Sequence, residues 1–307
     1  VYQQLGYSAR AMGDFDDAFN AFQAGLGTLT LINNKENISI CLGLIAVTQL
    51  YAGQIHEALQ SASKALDCAR HVSCRPHKLM YAFCTLGKVE HYAGIPSAED
   101  HLLEAVKMLD DPACQVEPSN CTNAWCRLGE WLLDKRRYEV ALNISERALS
   151  FAECKGVGPM YTALHLANKA RALMHLDTHN QRNSEIANLI HDAIDNFRRG
   201  SLYHETVRGH LLAAEFFSQH LEFDEGALHF EEAQQIAERG PMPLYLADVH
   251  LHRARLFGRI PADERRQKFP DIDPQAELRE ARRLIEKHGY WRRREELEDA
   301  EAAAVNW

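Results

Sequence analysis

Four side chains of the types that bind zinc recur at every third position early in the chain: Cys68, His71, Cys74 and His77. Cysteine and histidine are the ligands of structural zinc sites. On a helix, each step of three residues turns by about 300°, so these four side chains fan out and do not converge on one ion. Pro76 is expected to end this helix, between two structural units. We therefore expect loop thiols and exposed imidazoles and no bound metal, the alternative being a loop that folds the ligands inward.

Two other patterns could carry chemistry, and both favour a packing role. His250-x-His252 lacks the His-Glu-x-x-His pattern of zinc hydrolases, and Gly156-x-Gly158 lacks the third glycine and the preceding strand of a phosphate-binding loop. No ordered set of nucleophile, base and acid is visible. The sequence predicts no catalytic residue, no cofactor and no enzyme activity.

Composition narrows the class of protein. The 307 residues are 46% hydrophobic and 25% charged, with a net charge of −9 and only 17 Gly and 10 Pro. Few turn-forming residues in a long chain favour long helices. The basic clusters 265–268 and 292–294 lie among acidic residues, so we expect solvated faces and no direct nucleic-acid binding.

We also expect no targeting signal in this chain. No apolar run approaches the roughly 18 residues that span a bilayer, and residues 1–4 do not begin a signal peptide. Eight cysteines without a Cys-x-x-Cys pair indicate reduced thiols. We expect a cytoplasmic protein with no membrane partner.

One segment of the sequence shows a repeat pattern. Trp125-x-x-Leu128-Gly129 is followed by Tyr138-x-x-Ala141 and then by Ala148. This order of aromatic, Leu-Gly, aromatic and alanine positions resembles the tetratricopeptide (TPR) repeat. Small residues at such positions allow two antiparallel helices to cross closely while aromatic side chains fill the gaps.

The pattern recurs along the whole chain. Its last small position is spaced by 40, 40, 43, 45, 40 and 48 residues at Gly25, Ala65, Ala105, Ala148, Ala193, Ala233 and Ala281. The sequence thus predicts one all-α domain over 1–307, a right-handed superhelix of about seven helix pairs with a C-terminal capping helix. In such an array each pair is expected to contact only its neighbours. The expected units are 1–33, 37–74, 77–112, 120–156, 160–200, 203–239 and 243–289, with the cap at 290–304.

The two ends of this array differ. His288-Gly289 is expected to stop a helix with a left-handed glycine, and the polar cap after it is expected to face water. Val1 stands where a repeat has already begun, with no polar helix before it. We therefore expect the chain to be the C-terminal part of a longer protein.

The repeat period exceeds the roughly 34 residues of the standard TPR unit. In this it resembles the long-period sensor arms of bacterial STAND-type signal-transduction ATPases and transcriptional activators. That resemblance implies a non-catalytic regulatory arm that binds a protein or peptide in its concave groove. The alternative that it implies is a sensor of a small-molecule inducer.

The groove lining can be predicted from one position of each inner helix, the residue after its small anchor. These positions are Tyr7, Val47, Lys88, Glu130, Arg171, Glu215 and Arg255. From the third unit onward their charges alternate in sign. Two explanations stay open: a ladder of ion pairs that links successive repeats, or a mixed-charge surface that clamps a partner.

Further groove residues are expected on the same faces, because aromatic, amide and charged side chains suit a peptide or a polar ligand. They are Tyr81, His91, Tyr92, Asn123, Asp134, His175, Arg208, Gln219 and Asp248.

Overall fold

The computed structural model describes residues 1–71, 75–111 and 114–307, with His71 described by its backbone alone. Throughout these residues the regular structure is helical and no strand is formed. The predicted all-α superhelix of helix pairs with a C-terminal helix is confirmed. No helix of the described residues is long and apolar enough to cross a bilayer.

Inner and outer helices alternate along the chain. The inner layer consists of α1 (Tyr2–Ala11), α3 (Lys35–Tyr51), α5 (Pro76–Tyr92), α7 (Pro118–Asp134), α9 (Pro159–Leu176), α11 (Tyr203–Gln219) and α13 (Pro243–Phe257). The outer layer consists of α2 (Phe15–Leu31), α4 (Ile55–His71), α6 (Ala98–Lys107), α8 (Tyr138–Lys155), α10 (Asn183–Arg199), α12 (Phe223–Arg239) and α15 (Pro274–His288). Two helices stand outside these pairs, α14 (Ala262–Lys268) and α16 (Arg294–Ala304).

Small residues set the distance between paired helices. Ala65, Ala148 and Ala193 are completely buried. At Gly87 of α5, an added Cβ would lie only 2.8 Å from Leu102 Cγ of α6. Helix axes in contact are typically about 8–10 Å apart, with the shorter distances requiring small side chains. The periodic small positions therefore fix how closely each pair packs.

Proline and glycine mark the helix ends. The expectation that Pro76 ends a helix is wrong, because it lies in the first turn of α5, where a missing N–H costs no hydrogen bond. Gly156 and Gly289 end their helices with φ of +64° and +67°, which confirms the predicted stop after His288. Proline occupies the first turn of four further helices, at Pro118, Pro159, Pro243 and Pro274.

The superhelix closes on itself, because the last pair and α16 pack along the turns of the first four pairs. His288 Nδ1 lies 2.9 Å from the Gly53 carbonyl oxygen, and Trp291 packs directly on Gly94. Two ion pairs extend this row to the fourth turn, Lys135–Glu295 at 3.2 Å and Arg136–Asp299 at 3.3 Å. The expectation that each pair contacts only its neighbours is wrong, since the superhelical path brings the end of the chain back to its beginning.

The basic cluster 292–294, at the start of α16, is partly buried. The side chains of Arg292 and Arg293 are only 4% and 9% exposed, and they contact Asp134 and Asp248. The expected solvated face is therefore wrong for these two arginines, because closure of the superhelix buries them. Arg294 is exposed, as expected.

Replacing Gly94 with alanine is expected to lower the free energy of unfolding by about 2 to 3 kcal/mol. Its φ is +68°, and the new Cβ would lie 2.9 Å from the Trp291 carbonyl oxygen. Urea denaturation followed by circular dichroism measures the change.

Gly156→Ala is the matched control, because Gly156 has a similar φ of +64° but no neighbour within 4 Å. It is expected to cost about 1 kcal/mol from backbone strain alone. Equal costs for the two variants would contradict a stabilising contact between Gly94 and Trp291.

Candidate functional site

The concave interior holds two large cavities separated by buried charged side chains. The first, here the tyrosine cavity, has a volume of about 630 Å³ and is lined by α1, α3, α5, α7, α9 and the start of α11. It is named for the four tyrosines in its wall, Tyr7, Tyr51, Tyr81 and Tyr161.

Amide and hydroxyl groups face the tyrosine cavity between these rings. Asn120 and Asn123 of α7 form no side-chain hydrogen bond to any described residue, so their amides are available to a ligand. Tyr81 is held against Gly43, where an added Cβ would lie 2.8 Å from its ring. A side-chain amide both donates and accepts hydrogen bonds, as a peptide backbone does. The cavity therefore offers aromatic surface with groups that match an extended peptide.

The second, here the arginine cavity, has a volume of about 830 Å³ and lies where α5, α7, α9, α11 and α13 end. Trp291 and the first residues of α16 line it on one side. Its basic residues are Lys135, Arg136, Arg137, Arg171, Arg255, Arg292 and Arg294, and its carboxylates are Glu99, Asp134, Glu215, Glu295 and Glu296. Many of these charges pair across the cavity wall, as in Arg137–Glu99 at 3.1 Å and Lys135–Glu295 at 3.2 Å.

A buried charge network of Arg127, Glu130, Glu205 and Arg208 separates the two cavities, and Lys88 lies beside it without an ion pair to a described residue. Glu130 Oε1 accepts hydrogen bonds from Arg127 at 2.7 Å and from Arg208 at 2.6 Å, and Arg208 also donates to Glu205 at 2.8 Å. Burial alone would raise the pKa of the Glu130 carboxyl, but the two guanidiniums hold it well below its ordinary value. Glu130 is thus a charged carboxylate at the centre of the fold, with a side chain 1% exposed.

A second cluster surrounds Asp134 at the end of α7. Its carboxylate accepts hydrogen bonds from His91 Nε2 at 2.9 Å, from Arg171 at 2.8 Å and from Arg292 at 2.5 Å. Burial lowers the pKa of His91 to about 4, and Arg292 adds to this effect. His91 is therefore a neutral donor at physiological pH, and Asp134 joins three helices to the segment before α16.

A smaller cavity of about 60 Å³ lies between the charge network and the arginine cavity. On its wall, Asp248 of α13 accepts hydrogen bonds from Arg293 Nε at 2.7 Å and from Tyr290 OH at 3.1 Å. Both donors belong to the segment that closes the superhelix, so Asp248 also stabilises closure.

The sixteen residues predicted to line the groove fall into five places. The tyrosine cavity contains Tyr7, Val47, Tyr81, Lys88 and Asn123. The arginine cavity contains His91, Asp134, Arg171, His175, Glu215 and Arg255. The small cavity contains Tyr92, Arg208 and Asp248. Glu130 is buried in the charge network, and Gln219 is exposed as the last residue of α11, outside the three cavities.

The alternating column does not form a ladder of direct ion pairs. Within the described chain, no ion pair at 4 Å or less joins two consecutive members of the column from Lys88 to Arg255. Arg171 instead contacts Asp134 at 2.8 Å and Glu296 at 3.8 Å. The other explanation, that these charges bind a partner, stays a prediction.

Sequence reasoning missed several interior residues. Arg127 lies three positions before Glu130, a spacing that predicts a contact on one helix face, so it could have been found. Arg292 could not, because 158 residues separate it from Asp134. Arg10, Tyr161 and Glu205 line the tyrosine cavity without any repeat signal that marks them.

The structure describes two side chains of the Cys/His quartet, those of Cys68 and His77. Cys74 and the side chain of His71 lie outside the described residues, as do the expected unit ends at 74 and 112. Among the described residues, no group of three His, Cys, Asp or Glu side chains is placed to hold a metal ion. The seven described cysteines are all free thiols.

Comparison with known proteins identifies the fold. No protein-family model and no curated protein matches the sequence. The structure is similar to a Rap protein complexed with Competence and Sporulation Factor, at 14% identity over 99% of this chain and 82% of that one, with a TM-score of 0.65. It is also similar to the Rap conjugation gene regulator of the plasmid pLS20 in complex with the Phr* peptide, at 14% identity over 94% and 73%, with a TM-score of 0.69. The chain therefore has the TPR-like all-helical fold of these proteins.

Proposed function

We propose that this protein is a non-catalytic regulator that binds a peptide, or an extended segment of a partner protein, inside its superhelix. The observation that carries the proposal is the tyrosine cavity, where the amides of Asn120 and Asn123 line the same space as four tyrosine rings and form no side-chain hydrogen bond to a described residue. Its volume of about 630 Å³ falls within the range of about 300–1,000 Å³ for ligand pockets.

The similar structures support a peptide as the ligand. The pLS20 protein was solved in complex with the Phr* peptide, and the other Rap protein in complex with Competence and Sporulation Factor. The lining supports a peptide over a small apolar inducer, because tyrosine, amide and charged groups stand in it beside apolar residues such as Val47 and Leu164.

We further propose that ligand binding controls an effector, with this chain acting in the cytoplasm as a regulatory arm of a larger signalling or transcription-regulating protein. The long repeat period, which resembles that of STAND-type sensor arms, supports this arrangement. The role of the pLS20 protein as a gene regulator supports it as well. Closure of the superhelix supplies a means of transmission, since the ligand cavities and the contacts of α16 share the same inner helices.

Filling the tyrosine cavity tests the proposal. The protein is screened against a phage-displayed library of random hexapeptides, and retained peptides are measured by fluorescence polarisation. Asn123→Trp places an indole in the cavity, so we expect binding to weaken at least about tenfold.

Asn143→Trp is the matched control, because Asn143 is exposed on the outer helix α8. It is expected to bind as the unmodified protein does. Equal binding by Asn123→Trp would move the site away from this cavity, and the absence of any retained peptide would reject peptide binding.

A further inference from the structure

The tyrosine cavity is rich in positive charge. Arg10, Lys88 and Arg127 all line it, whereas Glu205 is the one carboxylate among its described lining residues. Arg127 is neutralised by Glu130 at 2.7 Å. Among the described residues, neither of the other two has a carboxylate within 4 Å of its charged group.

Lys88 is buried without a counter-ion. Its side chain is 4% exposed, and its ammonium donates one hydrogen bond, to Tyr51 OH at 2.6 Å. The same ammonium lies 4.4 Å from the centre of the Tyr51 ring. Among the described residues, no carboxylate lies within 4 Å of it. Burial, reinforced by Arg127, lowers the pKa of Lys88 well below its ordinary value.

Arg10 of α1 adds a second cation without a carboxylate. Its guanidinium lies 5.1 Å from the centre of the Tyr7 ring, and its one hydrogen bond runs to the Leu44 carbonyl oxygen at 3.5 Å. A weak neutral acceptor leaves most of its donors unused. The free cavity thus holds two basic groups, Lys88 and Arg10, whose charged forms a bound anion would stabilise.

A buried ammonium without a counter-ion is unfavourable, and a carboxylate that contacts it forms a short charge-assisted hydrogen bond. We propose that the tyrosine cavity recognises its ligand through a carboxylate, which Lys88 binds with Arg10 as a second cation. This inference rests on the proposed function, because the carboxylate belongs to a peptide, either as its C-terminus or as an acidic side chain.

The arginine cavity does not offer the same site. Five carboxylates line it, and its most buried cation, Arg292, is already bound to Asp134 at 2.5 Å. Two of its cations, Arg255 and Arg294, also lack an ion pair with a described residue, but Arg255 is half-buried and Arg294 is exposed, so water can solvate their charges. Lys88 of the tyrosine cavity is buried, so the need for a carboxylate is greater there.

The test uses four pentapeptide libraries on the full chain, whose random positions exclude aspartate and glutamate. They carry either a free C-terminal carboxylate or a C-terminal amide, and either one fixed glutamate or one fixed glutamine. Retained peptides are identified by affinity selection and mass spectrometry. We expect retention to need at least one carboxylate. Loss on amidation alone identifies the C-terminus as its source, and loss with glutamine alone identifies the side chain.

Lys88→Met is the matching protein variant. Methionine keeps the apolar stem of the side chain and removes its charge, so the fold is expected to persist. Affinity for carboxylate peptides is expected to fall about ten- to a hundredfold, with no change for the amide–glutamine peptides. Lys169→Met is the control, because Lys169 pairs with Glu146 at 3.2 Å and lines none of the three cavities.

The outcomes separate the inference from the proposed function. Equal retention of carboxylate and neutral peptides overturns the inference and leaves peptide binding in place. Retention of no peptide in any library overturns both. The library comparison needs only the unmodified protein. It therefore tests the need for a carboxylate even if Lys88→Met does not fold.

Discussion

Replacing Glu130 with glutamine is expected to lower the free energy of unfolding by about 3 to 5 kcal/mol. The substitution keeps the shape of the side chain and removes one of the two carboxylates that pair with both arginines, the one that lies 2.7 Å from Arg127 and 2.6 Å from Arg208. Glu205 remains close to both guanidiniums, but one carboxylate cannot balance two buried arginines. Urea denaturation at neutral pH measures the loss.

The control for this variant is Glu146→Gln. The Glu146 carboxylate also pairs with a cation, Lys169 at 3.2 Å, but its side chain is 47% exposed. An exposed pair contributes about 0 to 1 kcal/mol. A similarly small loss for Glu130→Gln would show that the buried charge network adds nothing to stability.

Mild acid is expected to destabilise the protein by about 4 to 5 kcal/mol between pH 7 and pH 5.5. Burial lowers the pKa of four histidines, to about 4 for His91 and His165 and to about 3 for His204 and His210. In the unfolded chain a histidine has a pKa of about 6.5. Below that pH the unfolded state binds more protons than the folded state, so each histidine removes about 1 kcal/mol over this interval, and stability falls as the pH falls.

Urea denaturation at a series of pH values measures this slope. His165→Asn is expected to reduce the slope by about one quarter, because one of the four buried imidazoles is removed. His179→Asn is the control, since His179 is exposed in the turn before α10. A slope that His165→Asn leaves unchanged would contradict the assignment to buried histidines.

The sequence was informative where packing is local. Small residues recur at positions such as Ala65, Ala148 and Ala193 because the two helices of each unit cross at the corresponding position. This contact is repeated in every unit. The pattern therefore predicted an all-α superhelix of helix pairs. It also placed Lys88 and Asn123 on inner helices, where the structure shows them facing the tyrosine cavity.

The sequence was uninformative where contacts join distant units. Five repeats separate Gly53 and Gly94 from their contacts His288 and Trp291. No periodic pattern in the sequence predicts which later segment packs on a given turn. For the same reason, the sequence predicts a solvated position for Arg292. Its burial against Asp134 depends on superhelical closure, which single-unit patterns do not encode.

Closure has a consequence for the order in which the protein forms during synthesis. The Gly53 carbonyl oxygen meets its partner His288 only after 235 further residues have been added. At about 5 to 20 residues per second, the ribosome needs roughly 10 to 50 s for that stretch. For this time the first turns of the nascent chain are exposed to solvent and to chaperones, and the interior stays open on one side. A ligand present during translation can therefore meet the inner helices before the superhelix has closed.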